Sequence, residues 1–311
     1  MASGILVIRG GAIGDFILTL PAIGLLREAF PQTRLEILGY KHIIALADGR
    51  YYADATRSIE YGGMASFFVP GGKLPDELVA YFSQFAQVIS YLYDPDGFFE
   101  ENLRRAGVKN YLAAYSRLDN SAHAARQLAR PMERLALFLE SEEATVHPST
   151  EDRARAKAFL EGCNGRPIIA FHPGSGGEKK LWPLPEWQML LRELRLLYPE
   201  ALLLMVGGEA DRERVAALQD EGIWRRAIDL PLPDLAAILE QAALFIGHDS
   251  GISHLAAAVK TPSVVLFGPT EPAVWAPAGA HVHVLRGENG DFRALPAKTV
   301  LAQISKILIA S

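Results

Sequence analysis

The sequence predicts an α/β protein made of two doubly wound domains, each built around a parallel sheet. Three observations predict it. At 311 residues the chain is long enough for two domains of about 150 residues each. Short β-rich runs alternate with longer amphipathic stretches, and the alternation occurs in two separate series. Parallel strands need a crossover between them, so strand–helix alternation implies parallel pairing.

In the first series, residues 5–9 read as a buried strand, followed by Gly10, Gly11 and Gly14 and a helical pattern over 15–30. Pro31 closes that helix, since proline lacks an N–H and disfavours the helical state of its predecessor. A second strand is expected at 35–38 and a later one at 88–92; residues 122–140 read helical, with Pro131 marking a break. The polar segment 142–150 (EEATVHPST) reads as a linker, which gives domains 1–149 and 150–311. In the second series, strands are expected at 168–171, 202–206, 244–246 and 263–267, with 227–230 extended. Helices are expected at 185–197, 211–220, 235–241 and 252–259. A last helix, 297–309, can pack on either domain.

Composition narrows the class. Half the residues are hydrophobic and 22% are charged, ordinary for a soluble globular protein and unlike a disordered one. No apolar run reaches the 18 or so residues needed to cross a bilayer. The opening MASGILVIRGG is a strand running into a glycine loop, so no signal peptide is expected. One cysteine, Cys163, excludes an internal disulfide and a Cys-based zinc site and fits a reducing cytosol. Net charge is −5, split as −3 over residues 1–150 (14 basic, 17 acidic) and −2 over 151–311 (17 basic, 19 acidic). A duplex-binding protein carries a basic surplus against phosphates, so no general nucleic-acid partner is expected.

Three constellations can carry chemistry. The first, Gly10-Gly11-Ala12-Ile13-Gly14-Asp15, joins the first strand to the first helix. It lacks the first glycine of a dinucleotide fingerprint, where Arg9 stands, and Leu38-Gly39-Tyr40 offers no acidic ribose acceptor. Asp15 reads either as a first-turn acid favoured by the helix dipole or as a general base at the carboxyl end of a strand. The second, FHPGSGGEKKLWP from Phe171 to Pro183, is a loop of small residues with two lysines before Trp-Pro. It suits close approach to a phosphate, or is a glycine-rich turn with solvated lysines; no G-K-[ST] closes it as a Walker loop. The third, Gly247-His248-Asp249-Ser250-Gly251-Ile252-Ser253-His254, opens a helix whose backbone N–H groups can face an anion, or is simply a capped helix with His254 packed beneath. Its Asp-Ser-Gly string is not a serine-protease loop, because those proteases are all-β.

Other features read as decoys. Asp94-Pro95-Asp96 has the D-x-D form of a metal–nucleotide clamp but also of a turn. His281 and His283 share a strand face and could ligate a metal, but no acidic or Cys partner is adjacent in the chain. The aromatic stretch 91–99 can line a groove or fill a core, and Arg50, Arg57, Lys73, Arg104 and Arg105 can meet an anionic acceptor or be ordinary surface charges.

In this order, the segments resemble glycosyltransferase family 9, the ADP-heptose:lipopolysaccharide heptosyltransferases. "ILVIRGGAIGDFILTLPAIGLLREAFP" is similar to the family's N-terminal signature, and "FHPGSGGEKKLWPLPEW" to its lysine loop. "VGGEADRE" and "IGHDSGISHLAAAVKTPSVVLFGPTEP" look like its nucleotide-site blocks. The resemblance implies a GT-B fold, two Rossmann-like domains facing across a cleft, with acceptor on the N-terminal side and nucleotide-sugar on the other. It implies inverting transfer from an ADP-sugar to a lipid-linked saccharide acceptor, with no cofactor and no catalytic metal, in the cytoplasm or peripherally at the inner membrane. By motif, Asp15 is the implied base and Lys180 the phosphate contact, with Gly11 and Gly14 in the adjoining glycine loop. Ser175 and Gly176 fall in the diphosphate loop, Glu209 near the nucleoside, and Asp249, Ser250, Gly251 and His254 around the diphosphate and sugar. Two other classes fit the same residues: a nucleotide-sugar epimerase or hydrolase of this fold, and a non-catalytic sugar-nucleotide binding protein.

Overall fold

Two parallel sheets organise the protein, a computed structural model that describes residues 3–115, 117–218 and 221–310. The first sheet comprises β1 (Ile5–Arg9), β2 (Leu35–Gly39), β3 (Ala55–Ser58), β4 (Gln87–Ser90) and β5 (Tyr111–Ala113). Its order is β3-β2-β1-β4-β5, parallel throughout. The central strand is an uninterrupted apolar run because helices cover both of its faces, and Leu6, Val7 and Ile8 are fully buried. Leu6 and Ile8 pack with Phe67, Phe82, Phe99 and Leu103 into one core.

The second sheet comprises β6 (Ile168–His172), β7 (Leu202–Gly207), β8 (Arg225–Ile228), β9 (Leu244–His248), β10 (Ser263–Phe267) and β11 (Val282–Arg286). Its order is β11-β10-β9-β6-β7-β8, again parallel. Its core includes Phe171, Trp182, Trp187, Leu190, Met205 and Ile246. The terminal helix Ala297–Ala310 belongs here: Val300 and Ile304 join that core, so of the two packings open to it the helix takes the second domain.

The chain divides into two compact units, one running to Asp119 and including Ala124–Glu142, the other holding Asn120–His123 and everything from Glu143. The segment read as a linker is tied to the second unit. Val146 N–H donates to Ala258 O at 2.8 Å, and Lys260 pairs with Glu143 at 2.7 Å. Ser149 then caps the helix Thr150–Phe159, accepting from Asp152 N–H at 3.1 Å.

Some sequence expectations change. The 122–140 helix shrinks to Ala124–Ala129, followed by a 3₁₀ turn Arg130–Leu135, because Pro131 supplies no N–H to continue α-helical bonding. The helix expected at 211–220 spans Arg212–Ala217, with Asp220 outside the described residues. In both sheets the strand order reverses at one place, β1/β4 in the first and β6/β9 in the second. Open α/β sheets bind ligands outside the carboxyl ends of the strands at such points.

Candidate functional site

At the first unit's reversal, β1 ends in Arg9 and the glycine loop leads into the helix Ile13–Ala29. Asp15 is the third residue of that helix, and its Oδ2 accepts the Ala12 N–H at 2.8 Å. Gly11 has φ +90°, and a methyl on it would lie 2.8 Å from Asp15 Oδ2, so glycine both turns the chain and clears space for the carboxylate. Arg9 is nearly buried beneath the loop. Its Nε donates to Thr19 Oγ1 at 2.9 Å, one Nη donates to Asp15 O at 3.1 Å, and the guanidinium lies 3.6 Å from Asp15 Oδ1. It also stands 5.7 Å from the centre of the Tyr91 ring, just after β4. Burial lowers the Arg9 pKa and the Asp15 charge opposes that. The Asp15 side chain is 38% exposed, so a fixed carboxylate reaches solvent at the sheet's carboxyl edge.

At the second unit's reversal, loops after β6, β9 and β10 converge. Lys180 Nζ donates to Asp249 Oδ2 at 2.6 Å, and Thr270 Oγ1 donates to the same oxygen at 2.7 Å. Ser175 Oγ donates to Asp249 O at 3.1 Å. Ser250 is the N-cap of the helix Gly251–Ala258 and accepts the Ser253 N–H at 3.4 Å. The structure thus brings Ser175, Lys180, Asp249, Ser250 and Gly251 to one place, with a cation beside a helix N-terminus, a combination that suits an anion. His254 is buried in the same helix, and Gly176 is exposed on the loop. Glu209 opens the 3₁₀ turn Glu209–Asp211 after β7, strongly exposed and 3.6 Å from Arg212.

Beneath the cluster lies a buried polar layer. His172 Nε2 is 3.0 Å from Asp211 Oδ2, and Gly208 N–H donates to that oxygen at 2.8 Å. Burial pushes the Asp211 carboxyl up, but these hydrogen bonds outweigh it and leave the pKa below the usual carboxylate range. An ionised carboxylate can only accept, so His172 donates through Nε2, and its Nδ1 lies 3.4 Å from Ser250 Oγ. His248 is fully buried, and burial pushes its pKa down to about 3 against the Gly174 hydrogen bond. Its Nε2 accepts from Trp182 N–H at 2.9 Å, so its proton sits on Nδ1, which donates to Gly174 O at 2.9 Å.

The decoys resolve locally. Asp94 accepts from Phe99 N–H at 3.1 Å and Glu100 N–H at 3.0 Å, which starts the helix Phe98–Arg105. His281 Nε2 lies 2.9 Å from Ala257 O. Arg57 lies 4.3 Å from the Tyr81 ring centre, Arg104 pairs with Glu100 at 2.7 Å, and Arg50 Nη1 donates to Ala45 O at 2.9 Å.

The sequence model of Glycosyltransferase family 9 (heptosyltransferase) matches residues 103–303. The chain belongs to this family. Lipopolysaccharide heptosyltransferase 3 of Escherichia coli is 27% identical to it over 155 residues, 49% of this chain and 45% of that protein. The match therefore spans about half the length of such curated relatives. A glycosyl transferase family 9 structure from Veillonella parvula superposes with a TM-score of 0.83 at 20% identity, covering 99% of this chain and 98% of that one. The Escherichia coli ADP-heptose lps heptosyltransferase II gives 0.78 at 18% identity, covering 99% of each. The fold is that of the GT-B heptosyltransferase structures.

For a family 9 glycosyltransferase, sequence reading holds His172, Asp211 and Thr270 inside its motifs without giving them roles, notes Arg9 only as standing where a glycine would, and passes over Arg214. Except for Arg9, which pairs with Asp15 and Thr19, their partners lie far away in sequence, as with His172 and Asp211, 39 positions apart. The available signal is a polar residue at the carboxyl end of an apolar strand. Arg9, His172 and His248 all occupy such positions.

Proposed function

We propose that this chain transfers heptose from ADP-heptose to a lipopolysaccharide inner-core saccharide, inverting the anomeric centre in a single displacement. The observation that carries the reading is the Lys180–Asp249–Thr270 cluster beside a helix N-terminus, at the second unit's strand reversal, in a chain of this family.

In this reading an acceptor hydroxyl oxygen attacks the anomeric carbon. The bond from that carbon to the diphosphate oxygen breaks, ADP leaves with the bonding pair, and the hydroxyl proton passes to Asp15. Asp15 suits a base because its anchored Oδ2 fixes the carboxylate while the group stays open to solvent. Negative charge grows on the leaving diphosphate. Lys180 answers it as a cation, and the N–H groups at the start of Gly251–Ala258 answer it as fixed dipoles. Asp249 holds Lys180 in place, and Thr270 and Ser175 fix Asp249 in turn.

The test is ADP release from ADP-heptose with and without a purified inner-core acceptor, with the product identified by mass. Release that needs acceptor and yields a heptosylated product supports the reading. Release without acceptor assigns the chain to a hydrolase or epimerase, and ADP binding without turnover to a binding protein; either overturns it.

A further inference from the structure

The loop 173–182, which carries Ser175 and Lys180, leaves the sheet at the end of β6 and returns to the core at Trp182. The Trp182 ring is fully buried, packs edge-on against Trp187 at 5.3 Å, and donates its Nε1–H to Leu295 O at 2.8 Å. Two side chains from other elements grip the base of this loop. His248, at the end of β9, accepts Trp182 N–H on one side and donates to Gly174 O on the other, both at 2.9 Å. Arg214, from the helix Arg212–Ala217, donates Nε to Pro173 O at 2.7 Å and Nη2 to Trp182 O. Backbone atoms on the outgoing and returning sides of the loop are thus joined twice. Asp211 closes the floor beneath, where a methyl on Gly174 would lie 1.7 Å from its Oδ1.

We propose that His248 and Arg214 are positioning residues for the transfer: they fix the base of the loop so that Lys180 and Ser175 stand ready for the donor diphosphate. The inference rests on the reading of Lys180 as the diphosphate contact. Neither residue needs to touch the donor; both act through the loop backbone. Ordering backbone on binding costs conformational entropy, so a loop already closed at its base spares that cost when the donor binds. Charge stabilisation in the transition state also requires donors that are in place beforehand. Arginine suits the position because its planar fork spans two carbonyls, which a lysine ammonium on a flexible stem does not fix in the same way. Imidazole suits the other because a buried neutral ring offers one donor and one acceptor on opposite edges.

The experiment compares wild type with R214K, H248Q, H248L, K180A and the double variant R214K/K180A. It reads kcat and donor KM, the melting temperature, and hydrogen exchange of the amides in 174–182. R214K is expected to melt near wild type, to exchange faster in the loop, and to lose about ten- to a hundredfold in kcat/KM for donor. Much of that loss falls in KM. H248Q, which keeps a donor and an acceptor, is expected to retain more activity than H248L. The double variant should lose less than the two single losses combined, since the grip acts largely through Lys180. If H248L fails to fold, R214K and H248Q carry the comparison. An impaired K180A beside a wild-type R214K, fully additive losses in the double variant, or unchanged loop exchange overturns the proposal. A fully active K180A instead removes the reading of Lys180, while loop exchange still reports whether the grip exists.

Discussion

The two units share a strand order around the reversal but furnish it differently. In the first, the reversal carries one carboxylate, anchored by a single backbone N–H and by the buried guanidinium of Arg9. In the second, it carries a lysine and a helix N-terminus above a layer of buried polar groups, His172, Asp211 and His248. The difference follows from the work proposed for each. A base needs one lone pair aimed at one proton, and a short glycine turn into a helix supplies that. A diphosphate needs several donors set at once, and several loops must be pinned to one another to hold them.

The largest expected effect breaks the first side of this comparison. Asp15→Asn keeps an oxygen for the Ala12 N–H but cannot take a proton, so kcat should fall about 10²- to 10⁴-fold with the fold intact. Near wild-type ADP release by this variant would remove Asp15 from the base role. Next, Lys180→Ala should cost about 3 kcal/mol of transition-state stabilisation, read as a roughly hundredfold loss in kcat/KM for donor. Gly174→Ala places a methyl 1.7 Å from Asp211 Oδ1 and should lower unfolding free energy by about 1–3 kcal/mol in chemical denaturation. Gly11→Ala should cost stability through the strained φ of +90° and cost activity as well, because its methyl presses on Asp15 at 2.8 Å. Near neutral pH the smallest effect is titration of His248, neutral in the fold with a pKa of about 3 against 6.5 when exposed. Below pH 6.5 the unfolded chain takes up a proton that the folded chain refuses, so stability is full above 6.5 and falls as pH drops toward 3. Melting curves of H248Q should decline less steeply over that range.

Central strands were legible because helices cover both faces and the sequence there is a continuous apolar run, as in β1, β6 and β10. The edges were not. β3 (ATRS) and β11 (VHVLR) are only partly buried and carry polar side chains, and β5 has three residues. β8 lies two positions earlier than the extended run read at 227–230, because its first residues are arginines. The amphipathic helices Asp76–Ser83 and Phe98–Arg105, which flank β4 and adjoin the edge strands β3 and β5 in the chain, went unread. Within the candidate site, Asp15, Lys180 and Ser250 were legible because each sits in a dense local motif. Thr270 lies inside the last nucleotide-site block and Arg214 just after VGGEADRE, but their contacts with Asp249 and with the loop backbone are made only in the folded sheet.

Trp182 has a reach beyond its loop. Its indole N–H is held by Leu295, just ahead of the terminal helix, and Val300 and Ile304 of that helix pack in the same core. The helix Ala297–Ala310 is thereby tied to the lysine loop. Trimming the last helix to improve crystals or to attach a tag would retune a segment more than a hundred residues upstream, 113 positions for this one tether.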